Sequence, residues 1–228
     1  MKVLTVIPAR SGTKSLIDKN IKVLNGKPLL VHSIKYSLNS SYVDKTIVST
    51  DSKDYADIAK KYGADIPFIR PENLSLDNVR DFLVIEHALR ECEIFYNCKF
   101  DYVVLLRPTS PFRPPNLIEK GLNLLNLNPA SSSVRSVTKS DEHPYRQWVN
   151  DGVYIKGFTQ DIDEPFNIPR QFLPNVYFQT GDIEIIRRST IINGSVSGNK
   201  VVPLVIDHDQ MLDIDSEKDW NKAQSKKK

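Results

Sequence analysis

Three cations stand close together in a polar segment that follows the first apolar run of the chain. The apolar run covers residues 4–7, and Arg10, Lys14 and Lys19 come after it, together with Gly12. Backbone N–H groups in such a loop can bind phosphate oxygens, and the cations can neutralise their charge. The segment lacks the Walker A and the Gly-rich dinucleotide patterns, so a basic surface loop is an equally good interpretation on chemistry alone.

Two carboxylates one residue apart, Asp213 and Asp215, stand in the last part of the sequence. Residues i and i+2 of an extended segment lie on one face, so this pair could bind Mg²⁺, or Mn²⁺ in its place. Such an ion keeps several waters and also binds substrate phosphates. The alternative is that Asp215 caps a helix that the pattern predicts over residues 215–223.

Two arginines occupy residues 140–174, where prolines interrupt the pattern and aromatic side chains are frequent. Arginine binds a carboxylate through two parallel hydrogen bonds, so Arg146 and Arg170 together indicate an anion site, although each alone could be a surface charge. We interpret the segment as an arm or β-ribbon inserted in one domain. Its apolar side chains would be costly to leave in water, which predicts a symmetric homodimer formed through the arm.

The elements that must position these residues alternate between strands and helices. Apolar runs predict strands over residues 4–7, 45–49, 66–69, 102–106, 131–138, 176–186 and 201–206, and helical periodicity predicts helices over residues 29–38, 55–62, 81–93, 116–127 and 215–223. This alternation is typical of an α/β fold with a mostly parallel, Rossmann-like sheet covered on both faces. Ligands of such sheets bind at the carboxyl ends of the strands, where the first cation loop falls.

Composition narrows the class of protein. The 228 residues carry a net charge of +3 from 31 basic and 28 acidic side chains, which is too mild to predict a nucleic-acid or membrane partner. No apolar run reaches the length of about 18 residues that a membrane helix needs. The two cysteines lack metal-ligand spacing and favour a reducing cytoplasm. We expect one domain over residues 1–224 and a solvated tail over residues 225–228.

Several ordered motifs resemble those of the acylneuraminate cytidylyltransferase family. The first loop matches the family signature P-A-R-x-G-S-K-x-x-x-x-K-N at Pro8, Ala9, Arg10, Gly12, Lys14, Lys19 and Asn20, with Thr13 in place of the serine. Further matches follow in the family's order at residues 20–30, 47–51, 70–71, 106–111, 169–171 and 212–217. The resemblance therefore covers almost the whole chain, from about residue 3 to residue 220.

The resemblance implies a magnesium-dependent nucleotidyltransferase that transfers CMP from CTP to an acidic nonulosonate sugar and releases pyrophosphate. It implies catalytic roles for Arg10, Lys14, Asp213 and Asp215, with the two aspartates on the metal. It places the nucleotide at Ala9, Arg10, Ser11, Gly12, Thr13, Lys14, Asn20, Arg70 and Asp81, and the sugar at Arg107, Arg146, Arg170, Gln171, Thr180 and Glu184. Arg170 is expected to bind the sugar's carboxylate.

Three departures from the family fall in the expected acceptor pocket. Arg107 replaces a glutamine, Thr180 an asparagine and Glu184 a tyrosine, which predicts an acceptor other than N-acetylneuraminate unless Arg107 and Glu184 only neutralise each other. Two alternative functions stay open: a sugar-1-phosphate nucleotidyltransferase that uses another NTP, and a non-catalytic nucleotide- or sugar-binding homologue. The intact cations and carboxylates argue against the second alternative.

Overall fold

The protein is described here for residues 1–13, 16–207 and 212–226 of a computed structural model. Its strands are β1 (Val3–Pro8), β2 (Val23–Leu24), β3 (Lys27–Pro28), β4 (Lys45–Ser49), β5 (Tyr102–Leu105), β6 (Ser133–Lys139), β7 (Trp148–Asp151), β8 (Tyr154–Gly157), β9 (Tyr177–Arg187) and β10 (Val201–Val205). Six of them form a sheet in the order β10-β6-β9-β5-β1-β4. Neighbouring strands pair in parallel except for β9, which runs antiparallel to β5 and β6. The prediction of a mostly parallel α/β sheet is confirmed.

Helices cover both faces of this sheet. They are α1 (Leu29–Leu38), α2 (Lys53–Lys61), α3 (Asp81–Phe95), α4 (Leu117–Leu127), α5 (Arg188–Ile192) and α6 (Glu217–Ser225). Side chains of β1 alternate between two apolar clusters: Val3 and Ile7 pack with α1 and α4, whereas Leu4 and Val6 pack with α3. Because a strand projects successive side chains to opposite faces, burial on both faces explains the uninterrupted apolar run.

The polar cluster after β4 begins a helix, as its residue types predict. The hydroxyl of Ser52 accepts a hydrogen bond from the backbone N–H of Tyr55 at 3.3 Å, which satisfies one free donor of α2. Gly63 follows the last turn of α2 with φ of +93°, a conformation that glycine adopts without steric cost. These two residues set the ends of α2 and keep the loop after β4 short.

The segment predicted as a strand over residues 66–69 is not one. An isolated parallel bridge joins Ile47 to Asp65, just before the segment. Pro67 has no N–H to donate, so the segment cannot continue a ladder beside β4. The chain runs on alongside the end of β4 without pairing as a strand, and the N–H of Arg70 donates to the carbonyl of Thr50 at 2.8 Å.

The arm over residues 140–174 contains the two-stranded ribbon that the sequence predicts. Strands β7 and β8 pair antiparallel, and the ring of Trp148 packs against that of Phe166 with centroids 4.4 Å apart. Several apolar arm residues stay exposed, among them Val153 at 89% and Tyr154 at 79%. Formation of a dimer through this surface stays a prediction. Within the described part of the chain, no helix has the length and apolar character needed to cross a membrane.

Candidate functional site

A cleft of 580 Å³ opens at the carboxyl ends of β1, β4 and β5. Eight polar side chains of the expected motifs line it: Arg10, Thr13, Lys19, Asn20, Arg70, Asp81, Arg107 and Asp215. A smaller cavity of 340 Å³ lies between α1 and the start of α4, and none of the predicted site residues lines it. The larger cleft is therefore the candidate site.

The first loop is held in shape by the side chain of Asp51, from outside it, and by that of Asn20, at its end. Asp51 accepts the N–H of Ser11 at 2.8 Å and its hydroxyl at 2.7 Å, and Asn20 Nδ2 donates to the carbonyl of Arg10 at 2.9 Å. The N–H of Ala9 donates to Ser49 at 2.9 Å. The N–H groups of Ala9 and Ser11 are thus used inside the protein, so a phosphate would have to bind other N–H groups of the loop.

The N–H groups of Gly12 and Thr13 make no hydrogen bond to another described residue, so they can still face a phosphate. Gly12 has φ of +66° and open space where a side chain would begin, so the backbone there is accessible to a ligand. The hydroxyl of Thr13 donates to the carbonyl of Leu16 at 2.8 Å, which fixes the turn. Lys14, a predicted catalytic residue, lies outside the described residues.

Two guanidinium groups border the cleft in different surroundings. Arg10 Nη1 donates to Asp77 at 2.5 Å, near the surface. Arg70 is buried, and its Nη2 donates to the carbonyl of Ser49 at 3.0 Å. Its Nε is buried without a hydrogen-bond partner among the described residues. Burial lowers the pKa of Arg70 below its ordinary value, although the nearby Asp51 carboxylate raises it.

Lys19 joins the first loop to the segment that carries the paired aspartates. Its buried Nζ donates to the carbonyl of Ile214 at 3.0 Å and to Asp215 Oδ1 at 2.8 Å. Ser216 caps α6 through a reciprocal capping box with Asp219. The alternative that Asp215 is the helix cap is therefore wrong, and its largely exposed carboxylate faces the cleft.

Asp213 lies deeper, beside Gly181 and Ser110. Its Oδ1 is buried and has no hydrogen-bond partner among the described residues, and the same is true of the Ser110 hydroxyl. A side chain at residue 181 would begin 3.2 Å from Asp213 Oδ2 and 2.7 Å from Ser110 Oγ, so only glycine leaves this space open. An uncommitted carboxylate oxygen fits a divalent cation.

The aspartates fit a metal that is shared with other ligands. No group of three His, Cys, Asp or Glu side chains that could hold an ion occurs among residues 1–13, 16–207 and 212–226. Two carboxylates would leave most positions around Mg²⁺ for water and for phosphate oxygens, which is the usual arrangement for this ion.

The expected acceptor residues fall into a buried group and an exposed group. Glu184 is 1% exposed and accepts Arg107 Nη1 on one oxygen and Arg135 Nη2 on the other, both at 2.5 Å. Thr180 is also buried, and its hydroxyl donates to Ser136 Oγ at 2.8 Å. Direct contact of Glu184 or Thr180 with a ligand does not fit this burial, because their polar atoms bond inside the protein.

Arg107 is oriented from several sides. Its Nη2 donates to Asp81 at 2.6 Å, and burial lowers its pKa while Glu184 and Asp81 raise it above the ordinary value. Arg113, which sequence reasoning missed, is buried and donates to the carbonyls of Arg107 and Asp182. Burial lowers the pKa of Arg113 to about 10. Arg135 was missed as well, because an isolated arginine in a strand gives no sequence signal.

Arg146, Arg170 and Gln171 lie exposed on the arm, and none of them lines the cleft. Arg146 Nη2 makes one long contact, 3.4 Å, with the carbonyl of Ile168. The chain by itself thus brings five of the predicted nucleotide residues together with Asp215 and Arg107, namely Arg10, Thr13, Asn20, Arg70 and Asp81, but does not bring the arm cations to them.

Comparison with known proteins identifies the family. Residues 4–152 match the profile of the family described as Cytidylyltransferase. The chain is 34% identical over 227 residues to CMP-N,N'-diacetyllegionaminic acid synthase of Legionella pneumophila, covering 96% of this chain and 94% of the relative. It is 41% identical over 141 residues to N-acylneuraminate cytidylyltransferase of Escherichia coli O18:K1:H7, covering 62% of this chain and 32% of the relative.

The fold has a solved counterpart. CMP:2-keto-3-deoxy-manno-octonic acid synthetase, solved in complex with CTP, superposes with a TM-score of 0.72 at 17% identity and covers 99% of this chain and 98% of that one. At this identity the likeness concerns the fold alone. The profile match over residues 4–152 and the 34% identity to the Legionella relative show that the chain belongs to the cytidylyltransferase family.

The pairing of Ser11 with Asp51 gives a measurable pH effect. Burial raises the pKa of Asp51, but the two hydrogen bonds from Ser11, a backbone N–H and the charge of Arg70 together hold it below the usual value. We predict that Ser11→Ala raises the pKa of Asp51, followed by NMR titration of its carboxyl carbon, whereas Ser11→Thr keeps it low. A carboxyl group whose pKa is lower in the folded state stabilises the fold at pH values above its unfolded pKa, and this stabilisation is lost on acidification. Ser11→Ala should therefore lower the free energy of unfolding at pH 7 more than at pH 3, and an unchanged pKa contradicts the assignment.

Proposed function

We propose that this cytidylyltransferase transfers CMP from CTP to an acidic nonulosonate sugar and releases pyrophosphate. The observation that carries the proposal is the cleft that Arg10, Lys19, Arg70 and Asp215 line together, at the carboxyl ends of parallel strands. The cations suit a triphosphate, and the carboxylate suits the divalent ion that accompanies it. The acceptor class is supported by the Legionella relative, a CMP-N,N'-diacetyllegionaminic acid synthase that matches over 96% of this chain.

In the proposed reaction a hydroxyl of the sugar attacks the α-phosphorus of CTP, and the bond from that phosphorus to the oxygen of pyrophosphate breaks. Catalysis of this kind depends on positioning and on neutralising charge more than on a covalent role for the protein. Arg10 would exchange Asp77 for a phosphate oxygen, and buried Arg70 would meet the nucleotide with its unpaired Nε. We assign Lys14 to the same phosphates on its motif alone.

Asp213 and Asp215 would hold Mg²⁺, or Mn²⁺, in the proposed enzyme. When bound, the ion neutralises phosphate charge and lowers the pKa of a coordinated hydroxyl. Lys19 orients the Asp215 carboxylate, and the missing side chain at Gly181 keeps room beside Asp213. These contacts hold the two aspartates in separate surroundings, one near solvent and one deep.

The acceptor is proposed to bring its carboxylate to the arm cations. In one chain Arg146, Arg170 and Gln171 lie outside the cleft, so a second copy of the chain would have to present them there. The exposed apolar side chains of the arm support a homodimer of this kind. The free thiols of Cys92 and Cys98 are compatible with a reducing cytoplasm, where we place the reaction.

A pyrophosphate-release screen tests the function directly. Four NTPs are crossed with nonulosonates that vary at C5, C7 and the glycerol-like tail, and with sugar-1-phosphates. We expect CTP with a nonulosonate to be the best pair, and N-acetylneuraminate not to be the preferred acid. Preference for a sugar-1-phosphate or for another NTP favours the alternative nucleotidyltransferase, and absence of turnover with nucleotide binding intact favours a binding homologue.

The metal assignment predicts a loss of rate in two aspartate variants. Asp213→Asn and Asp215→Asn should each lower kcat by about 100-fold or more, because a divalent ion and its ligands stabilise phosphoryl charge. Exposed Asp57→Asn, on α2, is the matched control and should change nothing. Mn²⁺ binding followed by EPR should weaken in both variants, and turnover that survives excess EDTA rules the assignment out.

The homodimer predicts a mass of two chains by light scattering at micromolar concentration. Replacing two exposed arm residues in Tyr154→Asp/Phe172→Asp should give monomers that still bind CTP but turn over the acceptor poorly, because the arm cations no longer reach a neighbour. Leu127→Asp is the control, since Leu127 is 78% exposed on α4, away from the arm. A wild-type monomer contradicts the arrangement.

A further inference from the structure

Four charged side chains form a line beside the cleft, from Asp81 at the start of α3 through Arg107 and Glu184 to Arg135 on β6. Arg107 donates to Asp81 at 2.6 Å and to Glu184 at 2.5 Å, and Arg135 donates to the other oxygen of Glu184 at 2.5 Å. Arg135 also donates through Nη1 to Gln179 Oε1 at 2.8 Å, at the base of the arm. The line therefore runs from the nucleotide cleft, which Asp81 and Arg107 border, toward the segment proposed to meet the acceptor.

The charges within this line cancel, because it holds two arginines and two acids. A neutral network has no excess charge with which to attract a carboxylate, so the acid group of the sugar has better partners on the arm. The anion at its centre is hidden, with the Glu184 side chain 1% exposed, whereas the Arg107 and Arg135 side chains are 23% and 21% exposed. What the line presents outward is therefore guanidinium N–H groups, which donate only.

A carbonyl oxygen is the uncharged group that suits two neighbouring donors. It accepts two hydrogen bonds and has no proton that needs a partner. A hydroxyl would need an acceptor for its own proton, and both oxygens of Glu184 are buried and engaged. A free amine would place an ammonium beside two guanidinium groups, which is repulsive.

We infer that Arg107 and Arg135 recognise an acyl carbonyl oxygen of the acceptor, such as that of an acylamino group, and that Glu184 is the positioning residue for both. The inference rests on the proposed function, because it specifies a substituent of the proposed acceptor. Glu184, on β9, acts through the arginines: its two oxygens fix the guanidinium groups of Arg107, just after β5, and of Arg135, on β6, which would otherwise repel each other across β9.

The experiment compares N,N'-diacetyllegionaminic acid with the two amines made by removing one acetyl group. Wild-type kcat/KM should favour the diacetylated acid over one of the amines by about tenfold or more, since a site built for hydrogen bonds penalises a ligand that leaves them unpaired. Arg135→Gln should bring that ratio toward one through a change in the KM of the sugar, with the KM of CTP unchanged. Arg135→Lys should restore part of the ratio, and Glu184→Gln should lower it while both arginines remain.

The controls separate this role from general loss of structure. Arg135→Gln leaves Glu184 paired with Arg107, so the variant is expected to fold, with Tm as the check. Arg188→Gln removes a comparable ion pair, Arg188 with Glu93 at 2.7 Å, near the residues where β5 begins. This variant should leave the ratio unchanged. Arg170→Ala should weaken all three acids equally.

The outcomes distinguish the two proposals. A ratio that stays high in both Arg107→Gln and Arg135→Gln overturns the recognition of the acyl group, as does a wild-type ratio near one in an enzyme that turns over nonulosonates. A ratio that falls equally in Arg188→Gln shows only a structural effect and also overturns it. If the wild type uses no nonulosonate, the proposed function fails, and this inference fails with it.

Discussion

The reversed direction of β9 is the constraint on which the site depends. Because β9 lies between β5 and β6 and runs against both, its first residues reach the edge where the parallel strands end. A parallel strand in that place would bring its last residues there instead. The reversal puts Gly181 beside Asp213 and puts Glu184 between two arginines. Strand β9 also begins at Tyr177, just after the arm ends, so the arm joins the domain beside the cleft.

The bonds that hold this edge are mostly made by buried cations. Lys19, Arg70 and Arg113 are each less than a tenth exposed, and each donates to backbone carbonyls. Lys19 also pairs with the Asp215 carboxylate, whereas the carbonyl partners of Arg70 and Arg113 satisfy a donor and leave the positive charge, so these cations keep their attraction for an anion. The negative charge of Glu184, in contrast, is neutralised by Arg107 and Arg135. One edge of the sheet thus holds a cation-rich part that suits a triphosphate and a neutral part that suits uncharged sugar groups.

Sequence patterns predict the parts of this structure that depend on local chemistry. Alternating burial in β1 and the hydroxyl cap at Ser52 follow from residue type and spacing, and so does the loop after β1. The direction of β9 could not be predicted, because an apolar run reads the same in a parallel or an antiparallel strand. The strand predicted over residues 66–69 failed for a different reason. Its β-branched and aromatic residues favour a strand, but Pro67 lacks the backbone N–H that a ladder needs. Arg135 and Arg113 have roles set wholly by partners far away in sequence.

The ammonium of Lys19 donates to Asp215, a residue 196 positions later in the sequence. Loops of that length close late, after local elements have formed, because the entropy of closure must be met before the contact contributes. During synthesis the first loop leaves the ribosome long before its partner does. A nascent chain that lacks residues 213–215 would hold the cations of its first loop without the carboxylates that complete the cleft.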